Sequence, residues 1–535
     1  MTTNELNSWY ESIPTFKNQI PRSFGSFSQN EKFTDDLFFT KPDSIIDQNV
    51  YQNIIKKYIS NPDNKDFQIE AVQAEELRSI RVWKRISEFY PDYDLFPPEL
   101  HCDNFQQEEI GDCYFIDMIS LISNYGELLT RLFPIQKNNH GYYEVILFIN
   151  GWKRVIIDDY IPVLNYNKPN MKLLGSTSKK YQNCFYFMLL EKAWAKVNKN
   201  YYNIYGGSSN NSLLVLTGFD GDKIRINNDP NEEQKNKILE EMEKGIRKHG
   251  HLCGVNDYGH AYSLLDIETF LVNGINYKVL KVRNPWGIIG NQIFNTKENT
   301  NITDELYEHF KNRRDIVEDE LVPRLQQYNK TVDNGIFFIS KKYFFQLFRS
   351  YSICYHMFGS SVIEFLLKFS KNDMNQNYFL FKLIVEEKSL VQINLTKHTF
   401  NNEGRMIFDY YNPQIKIMPS IYENNNNEIN GATLKKIPPG EYHIEWNYRN
   451  TISPPNEILF WICFQGKIKL DFVGMSQNEQ IYNYYYNCNS KEGLIIEKNC
   501  YKISEKLGES YRRKEKLFKF IANTLNCNIN SDEED

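Results

Sequence analysis

The run Gln107-Glu-Glu-Ile-Gly-Asp-Cys113-Tyr-Phe-Ile-Asp-Met-Ile-Ser120 constrains this chain more than any other stretch. Phe115, Ile116, Ile119 and Ile122 recur at helical spacing, so the run predicts an amphipathic helix opening at Cys113. Asp112 stands where an N-cap belongs, and its carboxylate is suited to accept from the first free backbone N–H groups. A cysteine in a first turn feels the positive end of the helix dipole, which favours thiolate, the nucleophilic form. Gly111 lets the backbone approach closely, giving a substrate carbonyl access to the sulfur. Gln107 offers a side-chain N–H to a developing oxyanion, beside the Cys113 backbone N–H.

A chain of 535 residues has room for several domains and a large core. Hydrophobic content of 41% and charged content of 24% fit a soluble globular protein. A net charge of -6 with no long basic run argues against a nucleic-acid partner. The start Met1-Thr-Thr-Asn-Glu-Leu lacks a signal-peptide pattern, and apolar runs such as Ile458 to Phe464 are too short to span a bilayer. Nine irregularly spaced cysteines without a C-x-x-C pair fit free thiols in a reducing cytoplasm and argue against structural zinc. The expected location is therefore cytoplasmic.

Further along, Tyr142–Asn150 and Trp152–Asp158 read as strands joined at Asn150-Gly151, a two-residue hairpin signal. Phe185–Val197 reads as a helix with Phe187, Leu190, Trp194 and Val197 on one face. Asn231–Lys248 reads as a charged surface helix. His260 and Asn284 flank two strand-like runs around Asn273-Gly274, which predicts a hairpin, with a bulge or a longer loop needed to bring the two side chains together. From Tyr355 onward, short strand-like runs at regular spacing suggest a β-sandwich.

The cysteine stretch resembles the active-site segment of the calpains, papain-like cysteine proteases whose pattern reads Q-G-x-x-G-D-C-W. Here it reads Q-E-E-I-G-D-C-Y, with Glu108 in place of a glycine and Tyr114 in place of a tryptophan. Trp83-Lys-Arg85, Asp158-Asp-Tyr-Ile-Pro162, the Leu189-Leu-Glu-Lys-Ala-Trp-Ala-Lys196 segment, Tyr205-Gly-Gly-Ser208, Gly259-His-Ala-Tyr262 and Arg283-Asn-Pro-Trp-Gly287 match further calpain segments in family order. The His260–Cys113 separation falls in the roughly 130–150 residues typical of papain-like enzymes.

The resemblance implies an α+β fold, with a papain-like two-subdomain protease core followed by an all-β sandwich domain. The expected divisions are an N-terminal arm over 1–40, the cysteine subdomain over 41–208, the histidine/asparagine subdomain over 209–350, the sandwich over 351–470 and a partly helical tail over 471–535. It implies an intracellular cysteine endopeptidase acting on protein substrates. Cys113, His260 and Asn284 would form its triad, Gln107 its oxyanion donor, and Trp286 a shield for the His260–Asn284 hydrogen bond. A catalytically weak relative serving as a scaffold is the alternative, motivated by Glu108 and Tyr114.

Calcium is the cofactor the family implies, but the matching stretches offer Asp103-Asn104, Asn210-Asn211, Ile288–Gln292 and Asp333-Asn334, mostly neutral groups. No metal ligand is assigned. The tail shows no EF-hand loop, so no EF-hand small subunit is expected; the sandwich is the expected docking surface for a membrane or protein.

Overall fold

The computed structural model describes residues 10–178, 180–226, 230–257, 259–272, 275–287 and 335–356, and beyond these 361–368, 378–409, 414–419, 435–447, 457–472 and 482–484. The Asn273-Gly274 turn, Ile288–Gln292, Asp333-Asn334 and nearly all of the tail lie outside the described residues.

The predicted cysteine helix runs Cys113–Ser123, and every residue after Cys113 is buried. It is therefore a central helix and not a surface one with a single apolar face, as expected of a helix enclosed on all sides. Its polar residues are bonded internally. Ser123 Oγ donates to the Ile119 carbonyl at 2.7 Å and Ser120 Oγ to the Cys102 carbonyl at 2.6 Å. The helix Tyr186–Val197 is likewise wholly buried, and its Trp194 stacks on Phe115 with ring centroids 5.3 Å apart.

Around these helices lie β1 (Trp83–Arg85), β2 (Tyr142–Phe148), β3 (Trp152–Asp158), β4 (Tyr160–Leu164) and β5 (Lys172–Leu173). β2 and β3 pair antiparallel, closing from Phe148 opposite Trp152. Asn150 and Gly151 both take positive φ, as the sequence signal requires. The connection is one residue longer than the two-residue expectation, because Ile149 joins the turn. β1, β4 and β5 form a small sheet in the order β1-β4-β5.

A second layer is a six-stranded antiparallel sheet of β6 (Gly221–Arg225), β7 (Leu252–Asn256), β8 (Ala261–Val272), β9 (Ile275–Arg283), β10 (Ile336–Ser340) and β11 (Ser350–Cys354), in the order β10-β9-β8-β7-β11-β6. It has its own core, centred on Val255, Tyr262, Leu280 and Phe344. The charged helix spans Glu232–Lys244, shorter than predicted. Asn231 caps it in a reciprocal box with Gln234, and a π-turn over Gly245–His249 ends it.

After Tyr355 the described residues form two further antiparallel sheets. One orders Met406–Asp409, Ser389–Phe400, Glu457–Gln465, Ser361–Lys368 and Tyr482–Tyr484, with Lys435–Ile437 on the second strand. The other orders Gln414–Pro419, Gly440–Asn447, Tyr378–Val385 and Ile468–Phe472.

Residues 10–47 hold no strand of a sheet, yet they bury Ile13, Phe16, Phe33 and Phe38. Buried charge fixes them in place. Lys196 Nζ donates to both oxygens of Asp35 at 2.8 and 2.7 Å and to Gln19 Oε1 at 2.7 Å. The Asp35 N–H donates to Asp158 Oδ2 at 2.7 Å, and Asp158 pairs with the buried Lys192. Breaking a buried pair leaves an uncompensated charge, which costs far more than losing a surface pair. Asp35→Ala is therefore expected to lower unfolding free energy by about 3–5 kcal/mol. Urea denaturation of the two proteins checks this; a loss below about 1 kcal/mol would show that Lys196 finds another partner.

Candidate active site

Cys113 opens the central helix and is half-buried as a residue, whereas the other described cysteines are buried. His260 immediately precedes β8, and Asn284 immediately follows β9. The two strands pair with Ser263 opposite Arg283, after a register shift between Leu264 and Asp266. A bulge lies there and moves the register by one residue. Past it, Asn284 leaves the β8 ladder and its N–H donates to the Gly335 carbonyl at 2.8 Å.

His260 Nε2 lies 2.9 Å from Asn284 Oδ1. The Trp286 N–H donates to the same oxygen at 3.2 Å, which fixes that atom as the oxygen. An amide oxygen only accepts, so Nε2 carries the hydrogen and Nδ1 keeps its lone pair. The Trp286 ring covers the imidazole, with centroids 4.3 Å apart.

Among the described residues no hydrogen bond joins His260 to the Cys113 sulfur. Burial pushes the Cys113 thiol up to about 12, while the Ala261 and Tyr114 N–H groups pull the other way and the nearby Asp112 and Asp117 add to the rise. Burial likewise pushes His260 down to about 4 against the Asn284 bond. Both shifts run against the thiolate expected from the helix N-terminus.

Asp112 occupies the N-cap position but does not cap. Its backbone sits at φ -107, ψ 32, outside the extended region a capping residue uses, and its side chain makes no capping bond. Instead the carboxyl is buried against Glu191. Burial first, then the Glu191 charge, raises it well above the ordinary range, and burial raises Glu191 to about 8. Gly111 is needed for a close approach, though to a ring: a Cβ there would lie 2.7 Å from Tyr205 Cδ1. Tyr114 is buried and its hydroxyl accepts from Trp194 Nε1 at 3.0 Å.

Gln107 Nε2 donates to the Ile110 carbonyl at 2.7 Å, leaving its second hydrogen for another acceptor. The Gln107 backbone N–H donates to the Pro285 carbonyl at 2.9 Å, tying the cysteine loop to the Asn-Pro-Trp turn.

Motif matching missed the contacts behind this pairing. Arg283, fully buried, donates from Nη1 to Ser120 Oγ at 2.6 Å and from Nη2 to the Phe105 carbonyl. Ser263 Oγ donates to the Asp117 carbonyl at 2.9 Å and reaches its carboxylate too. Polar residues inside an apolar helical run were the available signal.

The stretches that match the family's calcium positions and are described offer a single carboxylate, Asp103, and so few hard oxygen ligands for calcium. Asp103 is taken up by the His101 ring, and Asn210 Nδ2 donates to the Gly221 carbonyl at 3.0 Å. Among the described residues no group of three or more His, Cys, Asp or Glu side chains could hold a metal, and no helix is long and apolar enough to cross a membrane.

The calpain family cysteine protease profile matches residues 33–355. The chain belongs to the calpain family of cysteine proteases. It is similar to calpain-5 of Caenorhabditis elegans, 24% identical over 425 residues, covering 71% of this chain and 61% of that protein. It is also similar to the calpain-type cysteine protease DEK1 of Zea mays, 27% identical over 232 residues, covering 39% of this chain and 10% of that protein. The calpain-type cysteine protease ADL1 of Oryza sativa subsp. japonica is 25% identical over 316 residues, covering 55% of this chain and 14% of that protein. The chain thus spans less than two thirds of each of these relatives.

The raised thiol sets a testable reactivity. Alkylation of Cys113 by iodoacetamide in the free protein should climb about tenfold per pH unit from pH 6 to 9 without levelling. Peptide mapping of the alkylated sites follows it. A rate that is already flat at pH 6 would reveal a thiolate.

Proposed function

We propose that this chain is a cysteine endopeptidase that performs limited proteolysis through Cys113, His260 and Asn284. One observation carries the proposal: Asn284 Oδ1 accepts from His260 Nε2, which reserves Nδ1 as the base. When sulfur and Nδ1 come together, His260 removes the thiol proton as sulfur attacks a peptide carbonyl. Gln107 Nε2 and the Cys113 N–H stabilise the oxyanion. The imidazolium then protonates the leaving amine, and water hydrolyses the acyl-enzyme. The scaffold is a papain-like core of two subdomains, 41–208 and 209–350. A β-sandwich over 351–470, built from the two C-terminal sheets, follows as a docking surface. The free described thiols support a reducing, cytoplasmic setting.

A second reading, a catalytically weak relative acting as a scaffold, draws on the missing His260–sulfur bond and the raised thiol. No step passes through calcium, because the described positions offer a single carboxylate.

Casein hydrolysis by the purified chain, with calcium and with chelator, separates the two. The wild type should cleave in both buffers, and Cys113→Ser should be inert while remaining folded. Gln107→Ala should lower kcat by about 10² to 10³ with KM little changed. Undiminished turnover in Cys113→Ser ends the proposal, an inert wild type in both buffers favours the scaffold, and activity confined to micromolar calcium contradicts the reading of the calcium stretches.

A further inference from the structure

Glu108 stands where the calpain pattern has glycine, next to Gln107. Its carboxylate is held by three neighbouring side chains. Oε1 accepts from the Thr177 hydroxyl at 2.6 Å and from Gln106 Nε2 at 2.7 Å, and Oε2 accepts from Lys172 Nζ at 3.0 Å. Lys172 also pairs with Glu109 at 2.5 Å. Main-chain bonds run alongside: the Gln106 N–H donates to the Thr177 carbonyl at 2.7 Å, and the Thr177 N–H returns to the Gln106 carbonyl at 3.0 Å. On its other side, the Gln106 side chain lies against Gly287, where an added Cβ would come within 2.9 Å of it.

From these contacts we infer that Glu108 is a positioning residue that clamps the Gln106–Gln107 segment between the 172–177 segment and the Asn-Pro-Trp-Gly turn, fixing where Gln107 presents its amide. The inference rests on the reading of Gln107 as the oxyanion donor. A glycine has no side chain with which to form this clamp. The clamp also answers an electrostatic problem, since a bare carboxylate beside a developing oxyanion would oppose it. Here Lys172 offsets the charge and two further donors occupy the oxygens. Burial pushes the Glu108 carboxyl up, but those donors outweigh it and hold it below the ordinary carboxylate range. Gln107 is then tethered from two directions, through Glu108 on one side and through the Pro285 carbonyl on the other.

The test compares full-length wild type, Glu108→Ala, Glu108→Gln and Gln107→Ala by steady-state kinetics and by hydrogen exchange over residues 104–112. Glu108→Ala should speed exchange at Gln106 and Gln107 by about tenfold. It should lower kcat by about ten- to a hundredfold, with KM nearly unchanged. Glu108→Gln keeps an acceptor for Thr177 and Gln106 and should restore most of both. A purely structural role would move the melting temperature and not the split between kcat and KM. Unchanged exchange in Glu108→Ala overturns the clamp, whatever the activity. Faster exchange with full kcat, in an enzyme that Gln107→Ala cripples, overturns the positioning role. Full kcat in Gln107→Ala is the failure of the oxyanion reading alone, and the exchange measurement still decides the clamp.

Discussion

Arg283 is the residue on which the arrangement of the site depends. Its guanidinium has no exposed surface, and burial lowers its pKa from the ordinary value. A buried cation is costly unless donors of its guanidinium find acceptors. Two of them are spent on Ser120 of the cysteine helix and on the Phe105 carbonyl just ahead of the oxyanion loop. Because Arg283 ends β9 and Asn284 follows it, the same strand end that holds the base's partner also holds the nucleophile's helix. Asp117 and Ser263 repeat the link one strand over. The cysteine side and the histidine side are joined by side-chain hydrogen bonds among residues of this chain.

The resting chemistry follows from a competition of magnitudes. A helix N-terminus contributes about 0.3–1 kcal/mol toward a thiolate. The thiol's rise from its ordinary 9 to about 12 corresponds to roughly 4 kcal/mol the other way. Even discounted for the opening to solvent, burial wins. Asp112 fits the same logic: a carboxylate aimed at the first N–H groups would have helped a thiolate, but this carboxyl faces Glu191, and burial together with that neighbour raises its pKa. Opening the site to a substrate changes the surroundings of both sulfur and imidazole, which is where the balance can move.

Much of the layout was legible in the sequence because it is carried by local rules. Helical spacing found the central helix and the Tyr186–Val197 helix, and Asn150-Gly151 found the β2–β3 turn. The spacing between His260 and Asn284 called for a bulge or a longer loop, and a bulge lies between Leu264 and Asp266. What the sequence hid was set by tertiary contact. Periodicity marks which face is apolar, but it does not reveal that the opposite face will be covered as well, so the cysteine helix was read as one-sided. Asp112 sits at the right position for a cap, yet backbone angles and Glu191 decide where its carboxyl goes. Glu108 motivates a catalytically weak relative when only the sequence is considered, because two of its three partners, Thr177 and Lys172, lie far along the chain.

The account stands most directly on Cys113 acting as a nucleophile with His260 as its base. Mass spectrometry of the full chain after incubation with a peptidyl epoxide reads this out. One covalent adduct is expected, mapped to Cys113, absent in Cys113→Ser and strongly reduced in His260→Ala. An adduct at another cysteine, or equal labelling of Cys113 with and without His260, would contradict it.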